Sequence, residues 1–238
     1  MRLPQTGVFC QHFVAMRGNV GNSKELLLPV LVCFAVKEEA KHFLALRSAD
    51  RERIKVVITG MGRANAALSF GMALLDHHPA MVVTAGFAGG LNPKLAAGQV
   101  VFDAETKTGL ERRLKGAGAV AGEFHCAGQV AVSAAEKAEL RKSTKADAVE
   151  MESGTIRKLC QMANIPSATV RVISDAANED LPLNFNALMT ADQRISYARL
   201  VWAVAKSPRK IPDLMRFQKR ADAAARKLAE VLWESLKQ

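Results

Sequence analysis

Aromatic residues are scarce in this sequence: 10 Phe, 2 Trp and 1 Tyr make 13 of the 238 residues. Proteins that bind single-stranded nucleic acid stack the bases on aromatic side chains, so we predict no nucleic-acid partner. The four cysteines lack the CxxC or Cys/His spacing of a zinc site, and they are Cys10, Cys33, Cys126 and Cys160. We therefore predict reduced thiols, no bound metal and no cofactor.

Long hydrophobic runs are also missing. The longest, Leu26–Val36, has eleven residues and contains a proline, whereas a membrane span needs about 20 residues. It is typical of a buried strand. Residues 1–25 lack the charged start, apolar middle and small-residue cleavage site of a signal peptide. We expect a cytoplasmic protein with a poorly ordered extension over residues 1–25 and one domain over residues 26–238, because no linker divides the rest.

Several common catalytic motifs do not occur either. The sequence has no Walker loop, GxGxxG, HExxH or GxSxG, which argues against an NTPase, a dinucleotide dehydrogenase, a zinc protease and a serine hydrolase. What remains is the ordinary balance of a globular protein, with 49% hydrophobic and 24% charged residues. The net charge, 33 − 23 = +10, favours anionic partners without choosing among them.

From residue 26 onward, short β-branched runs alternate with helical patterns, which predicts an α/β domain with a largely parallel sheet. The predicted strands are Leu28–Val36, Ile54–Thr59, Met81–Ala85, Gln99–Phe102, Gln129–Ser133, Ala146–Val149 and Ala168–Ile173. The predicted helices are Glu38–Arg47, Ala64–Leu75, Ala135–Lys142 and Ser153–Ala163. From Asp192 the pattern is helical, with expected breaks at Pro208 and Pro212.

Carboxylates follow three of the predicted strands. Glu150 and Glu152 end one strand, Asp175 ends another, and Glu39 follows the first. Each has an ordinary explanation, because acidic groups complement helix dipoles, cap turns and cover surface helices. Together they would meet at one sheet edge, where ligands bind in open α/β sheets, as would the glycine-rich segment Gly86–Gly90. Facing carboxylates can divide acid and base roles, which suits cleavage of a glycosidic bond.

Three segments resemble the nucleoside phosphorylase and nucleosidase superfamily, most closely its methylthioadenosine/S-adenosylhomocysteine nucleosidase side. They are Ala35–Ala40 (AVKEEA), Met81–Val101 (MVVTAGFAGGLNPKLAAGQVV) and Ala148–Asp175 (AVEMESGTIRKLCQMANIPSATVRVISD). The resemblance implies a three-layer α/β/α fold with a central mixed, largely parallel twisted sheet. It also implies a homodimer that cleaves the N-glycosidic bond of a purine nucleoside.

The resemblance also implies roles for individual residues. Asp175 matches the aspartate that hands a proton to the purine as it leaves, and Glu39 matches the glutamate that activates water. Glu152 matches the glutamate that binds the ribose hydroxyls, and Met151 the methionine that packs on the sugar. The remaining predicted substrate-binding residues lie beside these or on the glycine-rich strand, and they are Glu150, Ala85, Gly86 and Phe87.

The nucleophile is predicted from the same comparison. Phosphorylases of this superfamily place an arginine and a serine at positions that here are Thr84 and Phe87, and Glu39 would repel phosphate. Water is therefore the expected nucleophile. Two alternatives stay open: phosphorolysis with phosphate held by Arg63 or Arg171, and a nucleoside-binding protein of the same fold without turnover.

The C-terminal part is strongly basic. Residues 206–227 contain eight basic and two acidic side chains, so they supply +6 of the net charge. A solvated face on a packed helix explains this pattern, since apolar residues recur along the same helix. Ser207–Leu228 also resembles the hopanoid-associated branch, in which an adenosyl group is removed from a lipid carrier. The second interpretation is therefore peripheral contact with an anionic membrane.

Overall fold

The computed structural model describes residues 28–50, 52–190, 192–193 and 196–237, so the extension predicted for residues 1–25 lies outside the described residues. The strands are β1 (Val30–Phe34), β2 (Ile54–Ile58), β3 (Met81–Gly90), β4 (Val100–Ala104), β5 (Val120–Ala121), β6 (Phe124–Cys126), β7 (Ala148–Glu150) and β8 (Ser167–Asp175). The helices are α1 (Lys37–Leu46), α2 (Arg63–His77), α3 (Glu111–Gly116), α4 (Ala134–Thr144), α5 (Ser153–Met162), α6 (Phe185–Leu188), α7 (Tyr197–Lys206) and α8 (Ile211–Leu236).

The strands form one mixed sheet in the order β2-β1-β3-β8-β4-β5, with β7 beside the end of β3 and β6 beside β7. Five pairings are parallel and two, β4 with β8 and β3 with β7, are antiparallel. Parallel strands at the centre need cover on both faces, which explains their continuous apolar runs. The predicted mixed, largely parallel sheet is confirmed.

Side chains of β1 alternate between two hydrophobic cores because successive residues of a strand point to opposite faces. Val32 and Phe34 pack with residues of α1, α3 and α8, whereas Leu31 and Cys33 pack with residues of α2 and α5. The sheet therefore lies between two helical layers, and the three-layer fold class is confirmed.

Some predicted elements are wrong. Gln129–Ser133 is not a strand, because the backbone of Val130 pairs instead with the side-chain amide of Asn186, at 2.9 and 2.8 Å. Strand β3 does not end at Ala85 but continues through the glycines to Gly90. The sequence analysis also missed α3 and the short strands β5 and β6, whose two or three residues are too few to show a period.

The C-terminal helices differ from expectation at one proline. Pro212 does not break a helix but lies in the first turn of α8, where a missing backbone N–H costs nothing. The second half of α8 buries the predicted apolar face, including Leu228 and Val231, against the sheet. In the part of the chain that the structure describes, no helix is both long enough and apolar enough to cross a membrane.

Candidate active site

The structure brings three of the four predicted carboxylates around one buried arginine. Arg171, in the middle of β8, is 2% exposed, and its Nη2 lies 2.8 Å from Glu150 Oε2 and 3.6 Å from Glu152 Oε2. Burial acts to lower the pKa of Arg171, but the carboxylates around it more than offset this and raise its pKa. A charge this deeply buried is stable only when paired, so the arginine and the carboxylates form one unit.

Gly86 lets this unit assemble beneath β3. A Cβ atom at this position would lie 2.6 Å from both Arg171 Nη1 and Glu39 Oε1, well inside contact distance. The backbone there also has φ = +150°, which side-chain-bearing residues rarely adopt. Glycine is therefore required here so that Glu39 and Arg171 can meet against the strand.

Glu39 lies in the first turn of α1 and turns back toward the sheet. Its Oε2 accepts hydrogen bonds from the backbone N–H groups of Ala35 and Val36, at 3.1 and 3.3 Å, and its Oε1 accepts one from Phe87 at 2.8 Å. Burial raises the pKa of Glu39 to about 7, although Arg171 and the Phe87 N–H act in the opposite direction. A carboxylate that titrates near neutrality is well matched to act as a general base.

Glu152 connects the same unit to the start of α2. Its Oε1 accepts a hydrogen bond of 2.9 Å from the backbone N–H of Gly62, at the helix N-terminus. Burial raises the pKa of Glu152 and the nearby Glu150 charge adds to this, while Arg171 acts against both. Met151, between the two glutamates, is buried as well.

Glu150 is held by more protein groups than the other carboxylates. Its oxygens accept hydrogen bonds from the N–H groups of Glu152 and Ser153 and from the Ser153 hydroxyl, at 2.7 to 2.9 Å. Burial acts to raise the pKa of Glu150, but Arg171 and these donors bring it below its usual range. Glu150 therefore anchors Arg171 and the start of α5, and its predicted contact with substrate stays a prediction.

Asp175 lies farther along β3 than Glu39 does, and we use the word groove for the part of the sheet edge between Gly86 and Gly89 of β3. The contacts of two glycines locate these carboxylates along β3. A Cβ at Gly86 would lie 2.6 Å from Glu39 Oε1, and a Cβ at Gly89 would lie 3.5 Å from Asp175 Oδ2. Three residues of strand separate these points by about 10 Å. Glu39 and Asp175 therefore lie beside different points of the strand rather than in direct contact.

A β-bulge makes the side chains of Ser174 and Asp175 point to the same side of β8. Ala88 is paired with Ile173, but Gly89 is paired with Asp175, so Ser174 is an extra residue on β8. Neighbouring side chains on a regular strand point apart, whereas here the Ser174 hydroxyl lies 2.5 Å from Asp175 Oδ1. Asp175 Oδ2 forms an ion pair with Lys137 of α4.

The Ser174 hydroxyl can serve both protonation states of Asp175. It lies 3.3 Å from the carbonyl oxygen of Ala88 in addition to its short contact with Asp175. When Asp175 is ionised, the hydroxyl donates to it; when Asp175 is protonated, the acid donates to Ser174 and the hydroxyl turns to Ala88. Asp175 Oδ1 therefore keeps a hydrogen-bond partner in both protonation states.

The other predicted site residues lie on β3 beside these groups. Ala85 places its side chain in the hydrophobic core, so only its backbone faces the groove. Phe87 supplies the N–H that holds Glu39, while its ring packs on the core of the α1 layer. Thr84 is fully buried and its hydroxyl pairs with that of Thr169 at 3.1 Å.

Two buried charged groups of the site were missed by the sequence analysis. Arg171 was considered only as a phosphate ligand, yet an arginine inside the apolar run of a central strand is itself a signal of a buried ion pair. Lys137 gave no signal, because it lies among polar residues on an ordinary-looking helix. Among the described residues, no three histidine, cysteine or carboxylate side chains are grouped as metal ligands.

Comparisons with known proteins place this arrangement in a family. The family model of the phosphorylase superfamily matches residues 13–102 and 102–206. The 5′-methylthioadenosine/S-adenosylhomocysteine nucleosidase of Glaesserella parasuis serovar 5 (strain SH0165) is 27% identical over 170 residues, which are 57% of this chain and 74% of that protein.

Solved structures share the fold at lower identity. Futalosine hydrolase of Helicobacter pylori strain 26695 superimposes with a TM-score of 0.66 at 18% identity, covering 90% of this chain and 99% of that one. The 5′-methylthioadenosine/S-adenosylhomocysteine nucleosidase of Neisseria meningitidis, in complex with methylthio-immucillin-A, gives 0.64 at 20% identity, covering 88% and 99%. The resemblance seen in the sequence is confirmed, and this chain belongs to the phosphorylase superfamily.

Proposed function

We propose that this protein hydrolyses the N-glycosidic bond of a purine nucleoside. The observation that carries the proposal is the placement of Glu39, with a pKa near 7, at one end of the groove and Asp175 at the other. The named relatives support it, since they are nucleosidases and a hydrolase by name.

The chemistry follows from the two ends of the groove. Glu39 accepts a proton from water as the water oxygen bonds to C1′ of the sugar, and the C1′–N9 bond breaks. Asp175 gives its proton to N7, so the purine leaves as a neutral base. Glu152 accepts hydrogen bonds from the ribose hydroxyls, with Met151 packed beside the sugar. Free ribose and free purine are the products.

Water suits this site better than phosphate does. Of the two arginines considered as phosphate ligands, Arg171 is enclosed by carboxylates and Arg63 donates to the carbonyl oxygen of Cys126. Thr84, at the position of the phosphorylase arginine, is buried and paired with Thr169. An ionised Glu39 would repel an incoming phosphate at short range.

A product assay tests this proposal. The protein is incubated with adenosine, methylthioadenosine and inosine, with and without phosphate, and the sugar product is identified. We expect free base and free ribose, or free methylthioribose, at a rate that phosphate does not change. Ribose 1-phosphate as the product would show phosphorolysis, and binding without base release would show a non-catalytic nucleoside-binding protein.

Two variants test the proposed roles of Asp175 and Glu39. Asp175→Asn and Glu39→Gln should each lower kcat by roughly 10²–10⁴-fold while the protein stays folded. Glu139→Gln removes an exposed carboxylate on α4 and is the matched control, with kcat expected to be unchanged. Near-normal base release by Asp175→Asn would contradict its assignment as the general acid.

We propose also that two copies of the chain associate through α2. Leu68, Met72 and Leu75 recur at spacings of four and three and are 71%, 58% and 50% exposed, so they form an apolar stripe on one face of this helix. The helix begins at Gly62, whose N–H holds Glu152, so a second copy on this stripe would lie beside the sugar end of the groove.

Light scattering tests the association. We expect a dimer for the unmodified chain and a monomer for the double variant Leu68→Glu/Met72→Glu. Leu46→Glu changes an exposed leucine on α1, away from this stripe, and should leave the dimer intact. A monomer for the unmodified chain across a wide concentration range would contradict the proposal.

Contact with an anionic membrane is the last part of the proposed function. Val201 and Trp202 on α7 and Met215 on α8 are 68%, 62% and 65% exposed, and Lys206 Nζ lies 3.7 Å from the centre of the Trp202 ring. Basic residues lie close to them in the sequence, and each contributes roughly 1 kcal/mol near an anionic surface. Such a surface suits a nucleoside linked to a lipid.

Liposome sedimentation tests the membrane contact. We expect binding to vesicles that contain anionic phospholipid and little binding to neutral ones, with the difference removed by high salt. Trp202→Ala should weaken binding, whereas Leu75→Ala, on the opposite layer, should not. Equal and negligible binding to both vesicles would leave the solvated face as the explanation of the basic residues.

A further inference from the structure

A lysine lies fully buried beside the proposed acid. Lys137 of α4 is 0% exposed. Its Nζ pairs with Oδ2 of Asp175 and donates to the carbonyl oxygens of Ala176 and Glu179, at 2.9 and 2.7 Å. Two of the three ammonium N–H bonds therefore have carbonyl acceptors, while the contact with Asp175 Oδ2 is an ion pair without a hydrogen bond. The two carbonyl oxygens hold the charge in one place against the carboxyl group.

Packing alone does not account for this lysine. A buried ion pair is often no more stabilising than apolar side chains of the same volume, because both charges must leave water. Helix α4 could fill the same space with methionine. The retained charge lies directly against Asp175, at the base end of the groove, which suggests that its contribution is made during the reaction.

We propose that Lys137 is a positioning residue for proton transfer to the purine, a role that rests on the proposed hydrolase function. It holds the Asp175 carboxyl in one orientation and stabilises the negative charge that develops there. In this step the O–H bond of Asp175 breaks, an N–H bond forms at N7, and the C1′–N9 electron pair goes to the base. Lys137 keeps all its protons and acts as a fixed charge.

Of the carboxylates near Lys137, Asp175 is the one that it pairs with. Glu179, in the segment after β8, also lies near Lys137, but its side chain accepts from the Ala176 N–H and pairs with Arg220 of α8, at 3.2 and 2.9 Å. On α4 itself, Arg141 is one turn away and pairs with an aspartate outside the groove, Asp147.

Kinetics across pH test the proposal. Lys137→Met should lower kcat by about 10–100-fold with KM changed by less than about threefold, because Lys137 acts through Asp175 and does not touch the substrate. In a plot of kcat against pH, kcat falls on the high-pH limb as Asp175 loses its proton. This limb should move to higher pH, because a buried carboxyl without its counter-charge keeps its proton longer. Lys142→Met, exposed on the same helix, is the control and should match the unmodified protein.

A merely structural role predicts a different result. Loss of packing would lower kcat by the same factor at every pH and leave the limb in place, which would overturn the proposal. In an Asp175→Asn background, Lys137→Met should cause no further loss of kcat, since the group through which it acts is gone. An additional loss as large as in the unmodified protein would also overturn it.

Two further measurements keep the outcome decisive. Circular dichroism checks folding, and if Lys137→Met does not fold, Lys137→Gln carries the test because its amide can still donate to a carbonyl oxygen. Calorimetry with free adenine, which also presents N7 to Asp175, separates this proposal from the proposed function. If no nucleoside is cleaved, a pH dependence of adenine affinity that shifts in Lys137→Met still supports the role of Lys137, and an unshifted one overturns it.

Discussion

The two ends of the groove each contain one buried cation, but they balance it differently. At the sugar end, Arg171 is shared by Glu39, Glu150 and Glu152. At the base end, Lys137 faces Asp175 and two carbonyl oxygens. The sugar end therefore has three carboxyl groups for one cation, whereas the base end has one carboxyl group for one cation.

This difference decides which carboxylate can take up a proton. Of the three carboxylates around Arg171, Glu39 interacts with it least, and burial raises the pKa of Glu39 to about 7. The pKa of Glu152 is raised as well, while that of Glu150 falls. Unequal environments of this kind separate a proton acceptor from a group that stays ionised. Burial that Arg171 does not fully compensate is thus the physical origin of the base that the proposed reaction needs.

The largest expected effect comes from removing the shared cation. Arg171→Met leaves three carboxylates buried without compensation and should lower the free energy of unfolding by about 3–5 kcal/mol. Arg157→Met removes a partly exposed pair with Asp103 and should cost about 0–1 kcal/mol. Urea unfolding measures both, and equal losses would contradict the central role of Arg171.

Removing the Glu39 carboxyl group should change how the free energy of unfolding depends on pH. The pKa of Glu39 is raised in the folded protein. Its contribution to the free energy of unfolding is therefore fully present below about pH 4.5 and is lost as pH rises through about 7. Glu39→Gln should therefore gain stability relative to the unmodified protein over this range, by on the order of 3 kcal/mol. Urea unfolding at several pH values checks this, and parallel curves for the two proteins would contradict it.

A matched pair of glycines compares the steric demands of the two ends. Gly86→Ala would force a Cβ to 2.6 Å from Arg171 and Glu39 at a positive φ, and it should cost about 1–3 kcal/mol and most of the activity. Gly89→Ala brings a Cβ to 3.2 Å from Val149 and 3.5 Å from Asp175, so its cost should be smaller. Thermal unfolding ranks the two variants, and a larger loss in Gly89→Ala would reverse the comparison.

The smallest effect on stability is expected from a substitution at Thr84, whose hydroxyl pairs with Thr169 between β3 and β8. Thr84→Val removes the buried hydroxyl pair with Thr169 and should cost about 1 kcal/mol. Because Thr84 holds no phosphate in the proposed reaction, kcat should stay within about twofold with or without phosphate. A phosphate dependence that disappears in this variant would favour phosphorolysis.

The fold was predictable from the sequence because long apolar strands and amphipathic helices carry strong periodic signals. The local pattern of Glu39 is that of an exposed helix residue, so only its place after the first strand and the family resemblance indicated a role for it. The strand predicted at Gln129–Ser133 failed because Asn186, 56 residues away, pairs with its backbone. Lys137 lies beyond sequence reasoning, since its burial depends on where β8 ends.

Strand β8 carries both Arg171 and Asp175 and is buried along its whole length, hydrogen-bonded to β3 on one side and β4 on the other. Backbone amides in such a strand exchange with solvent only when most of the protein opens. The backbone that carries Asp175 is therefore fixed on the timescale of turnover. Whatever motion admits a nucleoside has to occur outside β8, and hydrogen exchange would locate it as the bordering segment that exchanges fastest.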